Sequence, residues 1–194
     1  MNPTYISKPK PLAERAVLAS IRPEWNEKIF TFEKETEIRK NKPGLAVPFQ
    51  VLVYSTKPKP ELPGLCIDRY GDTLRLGKVF PINYAAARNM GLTLLDGMII
   101  GEFTVYRITE FQVLENGSIP NWIYSDLDKS CVPYKDVANY IGTGGKGFAW
   151  NISYPVLYEK PIKLSEAQDV FGLAVPITRA PQSWVYAWPK ARCS

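Results

Sequence analysis

Residues 16–39 read AVLASIRPEWNEKIFTFEKETEIR, and this stretch decides which fold the chain can adopt. The short apolar run at 16–21 predicts a buried first strand. The segment TEIRK at 36–40 predicts a second, short strand, which Lys42-Pro43-Gly44 interrupts. The stretch therefore predicts a strand, an intervening segment and a strand within 25 residues.

The intervening segment has the features of a short amphipathic helix over 23–33. Pro23 suits the first helical position, because its missing N–H would have no partner there. Trp25, Ile29 and Phe32 follow at spacings of four and three residues, which is the period of one apolar helical stripe. The first predicted strand therefore leads directly into a helix.

The rest of the chain alternates short strand patterns with turn signals. The predicted strands lie at 49–56, 65–69, 73–79, 97–111, 148–157 and 183–188. Short helices are predicted at 84–90 and 134–141, and a flexible loop at 142–147. Many short strands with a few short helices predict an α+β protein, built as a small β-barrel with short flanking helices.

The length of 194 residues predicts one domain. Residues 1–15 are rich in proline and lysine without periodicity, so we expect a loose N-terminal arm. The single domain is expected over 16–188, with insertions near 81–96 and 115–133.

The composition excludes several classes of site. The chain contains no histidine, which excludes Ser-His-Asp triads, Cys-His dyads and HExxH zinc sites. Its three cysteines are far apart and form no CxxC pair, so we expect no metal site, no cofactor and a reducing compartment. Any catalytic acid or base must come from Glu, Asp, Lys, Tyr or Cys.

The charge and hydropathy bear on partners and location. A net charge of +5 is compatible with a polyanionic partner. The sequence contains no run of about 18 apolar residues, so it predicts no membrane span. Its N-terminus lacks the apolar core of a signal peptide. We therefore expect a cytoplasmic protein, in a bacterial or phage-infected host cell, with no membrane partner.

Three charged residues in the opening stretch are the strongest site candidates. Glu37 and Arg39 share one face of the predicted strand, because side chains alternate along it. Lys34 lies just before them, near the helix C-terminus. Lys and Arg can hold a phosphate or base acceptors, and Glu can accept from a base amino group. The alternative from the residues alone is an ion pair on a solvated rim.

The order of motifs resembles the ASCH domain, a branch of the PUA-like superfamily. The family signature Gly-x-Lys-x-x-Glu-x-Arg follows a helix, and here 32–39 reads FEKETEIR, with Phe32 in the place of the glycine. Since phenylalanine does not adopt a left-handed turn cheaply, we expect the loop into Lys34 to take a different path.

Further segments match phage- and prophage-type members of this family. The matching segments are SIRP (20–23), VLVYST (51–56), IGEF (100–103), WNI (150–152), LYEKP (157–161) and PQSW (181–184). The resemblance covers roughly 16–188 and implies a PUA-like barrel. It also implies a cleft between barrel and helix that binds RNA or a modified nucleobase or nucleotide.

The resemblance leaves other functions open. Some ASCH proteins are ribonucleases, and some superfamily members resemble amidohydrolases that deacylate N4-acylcytidine with a Lys, a Thr three residues later and a distant Glu. Here Glu37 stands three residues after Lys34, which weakens that analogy, and Glu102 is the candidate distant acid. The hydrolase alternative thus uses Lys34 with Glu37 or Glu102, and it needs Lys34 to be buried so that its pKa falls. A third alternative is a phage-encoded protein-interaction module that uses the insertions near 81–96 or 115–133.

Four more residues complete the predicted ligand-binding set. Arg22 belongs to the motif that leads into the helix. Tyr54 and Thr56 share one face of a strand and are expected to line the cleft. Lys146 lies in the glycine-rich loop, where it can reach a phosphate, although the loop lacks the P-loop spacing.

Overall fold

The computed structural model describes residues 16–169 and 176–189. The arm predicted for 1–15 lies outside these residues. The strands are β1 (Ala16–Ile21), β2 (Thr36–Arg39), β3 (Phe49–Ser55), β4 (Gly64–Tyr70), β5 (Thr73–Val79), β6 (Thr93–Leu94), β7 (Met98–Gln112), β8 (Lys146–Lys163), β9 (Ala167–Asp169) and β10 (Trp184–Pro189). The helices are α1 (Pro23–Phe30), α2 (Tyr84–Asn89), α3 (Tyr124–Asp128) and α4 (Tyr134–Ile141).

The strands form two sheets. The larger has seven strands in the order β2-β8-β7-β3-β1-β10-β9, and the smaller has the order β5-β4-β6. β1 and β3 run parallel, with Ala16 opposite Gln50 and Ile21 opposite Ser55. The other pairings within this sheet are antiparallel. The predicted α+β class is confirmed.

The Arg39 side chain connects β2, at one end of the large sheet, to β1 and to the residue before β10. Arg39, on the end strand β2, donates from Nη2 to the Ser20 carbonyl of β1 at 3.0 Å, and from Nη1 to the Ser183 carbonyl before β10 at 3.1 Å. Among residues 16–169 and 176–189 no backbone ladder joins β2 to these strands. The sheet therefore curls in the manner of a barrel, and a guanidinium rather than a ladder spans the gap.

The main core lies inside this curl. Alternating residues of β1, β3, β7 and β8 meet Ile29 and Phe30 of α1 there. Trp150 is fully buried and packs edge-on against Phe49, with ring centroids 5.7 Å apart. Burying a side chain of this kind contributes roughly 1.5–3 kcal/mol, so this interior dominates the folding free energy.

The predicted strands and helices are largely confirmed. The main difference is β8, which extends over Lys146–Lys163 instead of 148–157, so two residues of the predicted loop join the strand. The slip predicted near Arg107 is present as an irregularity of the β7–β8 register between Val105 and Arg107.

The two predicted insertions have different surroundings. Segment 115–133 contains α3 and packs Ile119, Ile123 and Leu127 into a second cluster on the outer face of the sheet, together with α4. Segment 81–96 contains α2 and β6, and β6 pairs with β4 of the small sheet.

Across the described residues no helix is long and apolar enough to cross a membrane. The amphipathic helices are short, and each lays one face on a sheet.

Candidate functional site

The turn after α1 delivers Lys34 into the interior. Phe32 adopts a left-handed conformation with φ of 64°. Its N–H bonds to the Ile29 carbonyl, and those of Glu33 and Lys34 both bond to the Lys28 carbonyl. The expectation that Phe32 would avoid this conformation is wrong. A left-handed residue costs about 1–2 kcal/mol, and three backbone hydrogen bonds fix the turn nonetheless.

Lys34 is buried, as the hydrolase alternative requires, with 2% of its surface exposed. Its Nζ donates to the Ser130 carbonyl at 2.6 Å and lies 3.3 Å from the Glu37 carboxylate. The same ammonium lies 5.3 Å from the centre of the Trp25 ring, within the range of a cation–π contact. Burial lowers the pKa of Lys34, while the carboxylate of Glu37 opposes that shift.

Strand β2 places the other two candidates beside Lys34. Glu37 lies opposite Trp150 and Arg39 opposite Phe148 in the β2–β8 register, so both side chains enter the main core. The Glu37 carboxylate bridges the two cations, 3.3 Å from Lys34 Nζ and 3.0 Å from Arg39 Nη2.

The three side chains form a buried charged cluster rather than an exposed pair. Their side-chain exposures are 1%, 10% and 6% for Lys34, Glu37 and Arg39. The alternative of an ion pair on a solvated rim is therefore wrong. With two cations around one carboxylate, the cluster favours a ligand that brings negative charge or acceptor oxygens.

This cluster forms one wall of a pocket of about 800 Å³. Trp25 of α1, Tyr54 of β3 and Tyr140 of α4 also line it. Burial raises the pKa of the Tyr54 and Tyr140 hydroxyls, so both stay neutral donors at physiological pH. Ligand pockets commonly measure about 300–1,000 Å³, so the volume suits a nucleotide-sized ligand.

A second wall comes from the carboxyl ends of β1 and β3. These strands are parallel, so both end at the same edge of the sheet. Arg22 follows β1 and Thr56 follows β3, and both line the pocket. The Thr56 N–H donates to the Ile21 carbonyl at 3.0 Å, which ties the two strand ends together.

Segment 115–133 closes the far side. The Lys129 carbonyl accepts from the N–H groups of Glu35 and Thr36, at 2.9 and 3.1 Å. The Ser130 carbonyl accepts from Lys34, and Val132 of the same segment lines the pocket. This predicted insertion therefore holds Lys34 in place, which its turn-rich sequence did not indicate.

Glu102 lies on the other face of the sheet. It pairs in register with Leu52, whose cluster is separate from the one that holds Trp150. The Tyr158 hydroxyl donates to its carboxylate at 2.5 Å. Burial raises the pKa of Glu102, while hydrogen bonds from Tyr158 and Gln50 oppose the shift. The structure thus does not bring Glu102 to Lys34, and its catalytic role stays a prediction.

Lys146 is also outside the pocket lining. It lies at the start of β8 and forms a 2.9 Å ion pair with Glu110. Of the predicted residues, the pocket brings together Lys34, Glu37, Arg39, Arg22, Tyr54 and Thr56.

Sequence reasoning missed several side chains that line the pocket, among them Trp25, Lys57, Asp136 and Tyr140. Trp25 was interpreted as part of an apolar helical stripe, yet it is only partly buried and faces Lys34. The position of α4, which carries Asp136 and Tyr140, depends on tertiary packing, so no local signal could have found them. Lys57 directly follows the predicted strand that carries Tyr54 and Thr56, which was an available signal.

The free hydrogen-bonding capacity of the cluster indicates what it can bind. Each Glu37 oxygen has one cationic partner among the described residues and can accept a further hydrogen bond. The Lys34 ammonium has three N–H donors and two acceptors, the Ser130 carbonyl and the Glu37 carboxylate. Arg39 Nε is buried without a partner among the described residues. The cluster therefore offers donors and an acceptor together. Among residues 16–169 and 176–189, the side chains of Cys, Asp and Glu form no group of three that could hold a metal ion.

Comparison with known proteins gives structural neighbours only. No family model and no curated protein matches the sequence. The crystal structure of ASCH from Zymomonas mobilis is similar, with a TM-score of 0.53 and 16% sequence identity over 90% of this chain and 88% of that one. A serine-to-alanine variant of that protein gives a TM-score of 0.52 and 16% identity, covering 88% and 87%. The chain thus has the fold of these ASCH structures, while a phage origin stays a prediction.

Proposed function

We propose that this protein binds RNA, or a modified nucleobase or nucleotide, in the pocket beside Lys34, Glu37 and Arg39. The observation that carries this proposal is the buried cluster of two cations and one carboxylate on the pocket wall. Buried charge is expensive to maintain, so a cluster that opens into a nucleotide-sized pocket points to recognition.

The hydrogen-bonding pattern suits the edge of a nucleobase. The Glu37 carboxylate accepts from an exocyclic amino group, and the nearby Lys34 ammonium donates to a ring nitrogen or carbonyl of the same base. The two groups are 3.3 Å apart, so neighbouring atoms of one base can engage both. This pairing favours bases that present an amino group beside an acceptor.

The aromatic walls add affinity that does not depend on base identity. Trp25, Tyr54 and Tyr140 come from three different elements around the cluster. Bases that leave a stack pack on such rings, and each stacked base is worth about 1–3 kcal/mol. A base between these rings would reach the charged cluster with its edge.

The test is binding of short single-stranded RNA, measured by fluorescence anisotropy at two salt concentrations. The variants are Trp25→Leu and Tyr140→Leu, because both side chains are partly exposed and neither forms an ion pair or hydrogen bond of the charged cluster. Losing one stacked ring should weaken binding by roughly 5- to 100-fold. The matched control is Tyr154→Leu, an aromatic residue of β8 that is 82% exposed.

Thermal unfolding of each variant separates lost contacts from lost folding. Unchanged affinity in both pocket variants, with all proteins folded, would overturn the proposal. Equal weakening in Tyr154→Leu would show that the contact surface lies outside the pocket.

One observation favours hydrolysis as a second candidate function. Burial lowers the pKa of Lys34, which is what a lysine needs to act as a general base without histidine. Glu37 is its adjacent partner. The test is turnover of a single-stranded RNA and of N4-acylcytidine by the parent protein and by Lys34→Met. Turnover that persists in the folded variant contradicts this role of Lys34.

A further inference from the structure

We propose that a phosphate track leaves the pocket over Arg22, Lys57 and Lys59, so that the ligand is one nucleotide of a single strand rather than a free nucleotide. The inference rests on the proposed function and extends it to residues outside the charged cluster. It names the polymer as the partner and this edge of the sheet as the path of its backbone.

The track begins where the two parallel strands end. β1 and β3 reach the same edge with Ile21 opposite Ser55, so Arg22 and Thr56 leave the sheet side by side. Arg22 and Lys57 both line the pocket, and both side chains are exposed to solvent. The pocket therefore has two cations at the rim, where a backbone would leave it.

Prolines display the two lysines in an extended segment. The sequence after β3 reads Thr56-Lys57-Pro58-Lys59-Pro60. A residue before proline is restricted to extended conformations, which applies to both Lys57 and Lys59. Two residues of extended chain advance about 6 Å, a step similar to the separation of successive phosphates in an extended strand. The segment thus offers a cation to each of two neighbouring phosphates at low entropic cost.

Lys57 and Lys59 lack the ion pairs that several other surface lysines form in the described part of the chain. Lys28, Lys78, Lys129 and Lys146 form ion pairs with glutamates at 2.8–3.1 Å. Within residues 16–169 and 176–189, Lys57 and Lys59 form no ion pair, and both are exposed. Arg22 approaches Glu24 only to 3.9 Å, beyond hydrogen-bonding distance. The rim therefore carries two exposed lysines without ion-pair partners among the described residues, next to a loosely paired Arg22.

The remaining charges define the side on which the strand runs. Asp136 lines the pocket on the wall formed by α4, where it disfavours phosphate. The N-terminus of α1 begins beside Arg22 and carries partial positive charge. A backbone is therefore favoured along the edge of β1 and β3 and disfavoured along α4.

The experiment measures anisotropy of fluorescein-labelled single-stranded RNA of 2, 4, 6 and 10 nucleotides, with a mononucleotide as competitor. The variant is Lys57→Gln/Lys59→Gln. The control Arg75→Gln/Arg88→Gln removes the same charge at two exposed residues of β5 and α2 that do not line the pocket. Parent affinity should rise with oligomer length and fall with salt, with a slope of roughly 0.7 per neutralised phosphate.

We expect the lysine variant to bind the 10-mer about tenfold more weakly at low salt, with a salt slope lower by about 1.4. Inhibition by the mononucleotide should be unchanged, and the control should shift affinity less than about twofold. Equal weakening in the control, or parent affinity that is independent of length, would overturn the track.

Failure of the track can be distinguished from failure of the proposed function. A parent that binds the mononucleotide but gains nothing from length overturns the track alone. A parent that binds no RNA and no mononucleotide overturns both. Binding that responds to Lys57→Gln/Lys59→Gln but to neither Trp25→Leu nor Tyr140→Leu places the strand outside the pocket, which also overturns both.

Discussion

The large sheet buries a carboxylate on each of its faces, and the two sites differ in what surrounds them. On the inner face, Glu37 lies between the cations of Lys34 and Arg39, beside a pocket. On the outer face, Glu102 accepts hydrogen bonds from the neutral side chains of Tyr158 and Gln50. Both residues have less than 10% of their surface exposed to solvent.

The difference shows that burial of a titratable group does not by itself mark a functional site. Hydrogen bonds from neutral donors can satisfy the acceptor oxygens of a buried carboxyl group such as Glu102, which then has a purely structural role. Two cations around one carboxylate leave a net charge that a ligand can balance, and at Glu37 a pocket gives a ligand access. Charge imbalance together with access is therefore the better criterion.

The same substitution on each face gives the largest expected contrast. Glu37→Gln removes the anion between two buried cations, which are then left uncompensated. We expect the free energy of unfolding to fall by about 3–5 kcal/mol. Urea unfolding of Glu37→Gln and Glu102→Gln at pH 7.5 measures the two effects under one condition.

Glu102→Gln is the matched control, because it has the same shape and can still accept from Tyr158. Its unfolding free energy should stay within about 1 kcal/mol of the parent. Similar losses in both variants would break the distinction between a charged and a neutral environment.

Titration of Lys34 tests the electrostatics of the inner face. Because burial lowers the pKa of this ammonium, the folded protein releases the proton more readily than the unfolded chain. The titration of Lys34 therefore makes the free energy of unfolding rise with pH, between the pKa of Lys34 in the folded protein and its ordinary value of 10.5. Nitrogen-15 NMR of the lysine side chains, with Lys34→Met to assign the signal, measures the pKa. An ordinary lysine value would contradict the buried base.

The outer face should show the opposite dependence on pH. Burial raises the pKa of Glu102, so the folded state holds its proton more tightly than the unfolded state. The contribution of protonated Glu102 to the free energy of unfolding is complete below the ordinary pKa of 4.5. It decreases as pH rises through the pKa that Glu102 has in the folded protein. Between these values we expect the parent to lose stability relative to Glu102→Gln. Urea unfolding from pH 4 to pH 8 measures the difference, and parallel curves would contradict it.

Local patterns predicted the inner cluster because its members are close in sequence. Strand alternation placed Glu37 and Arg39 on one face, and the helix before them placed Lys34 nearby. Period and turn signals likewise predicted most strands, since each depends on neighbours within a few residues.

The surroundings of the cluster could not be predicted in this way. The Ser130 carbonyl that holds Lys34 is 96 positions away in sequence. Tyr140 reaches the pocket only because α4 packs on the outer cluster. The separation of Glu102 from the pocket depends on which face of a long, irregular strand it occupies, and the β7–β8 register shifts three times. Such features arise from tertiary packing and have no local signature.

The turn that delivers Lys34 gives the smallest effect and sharpens the account of the inner face. Phe32 has a φ of 64° and is 42% exposed, so replacing it removes little burial from the main core. Phe32→Gly and Phe32→Ala both delete the ring, but only glycine adopts this conformation without strain. We expect the glycine variant to be more stable than the alanine variant by about 1 kcal/mol in urea unfolding. RNA affinity should be equal in the two, because the three backbone hydrogen bonds of the turn are retained. If alanine proves as stable as glycine, the left-handed turn is not what constrains this position. If both variants instead bind RNA more weakly than the parent, the Phe32 ring itself contributes to the pocket on the inner face.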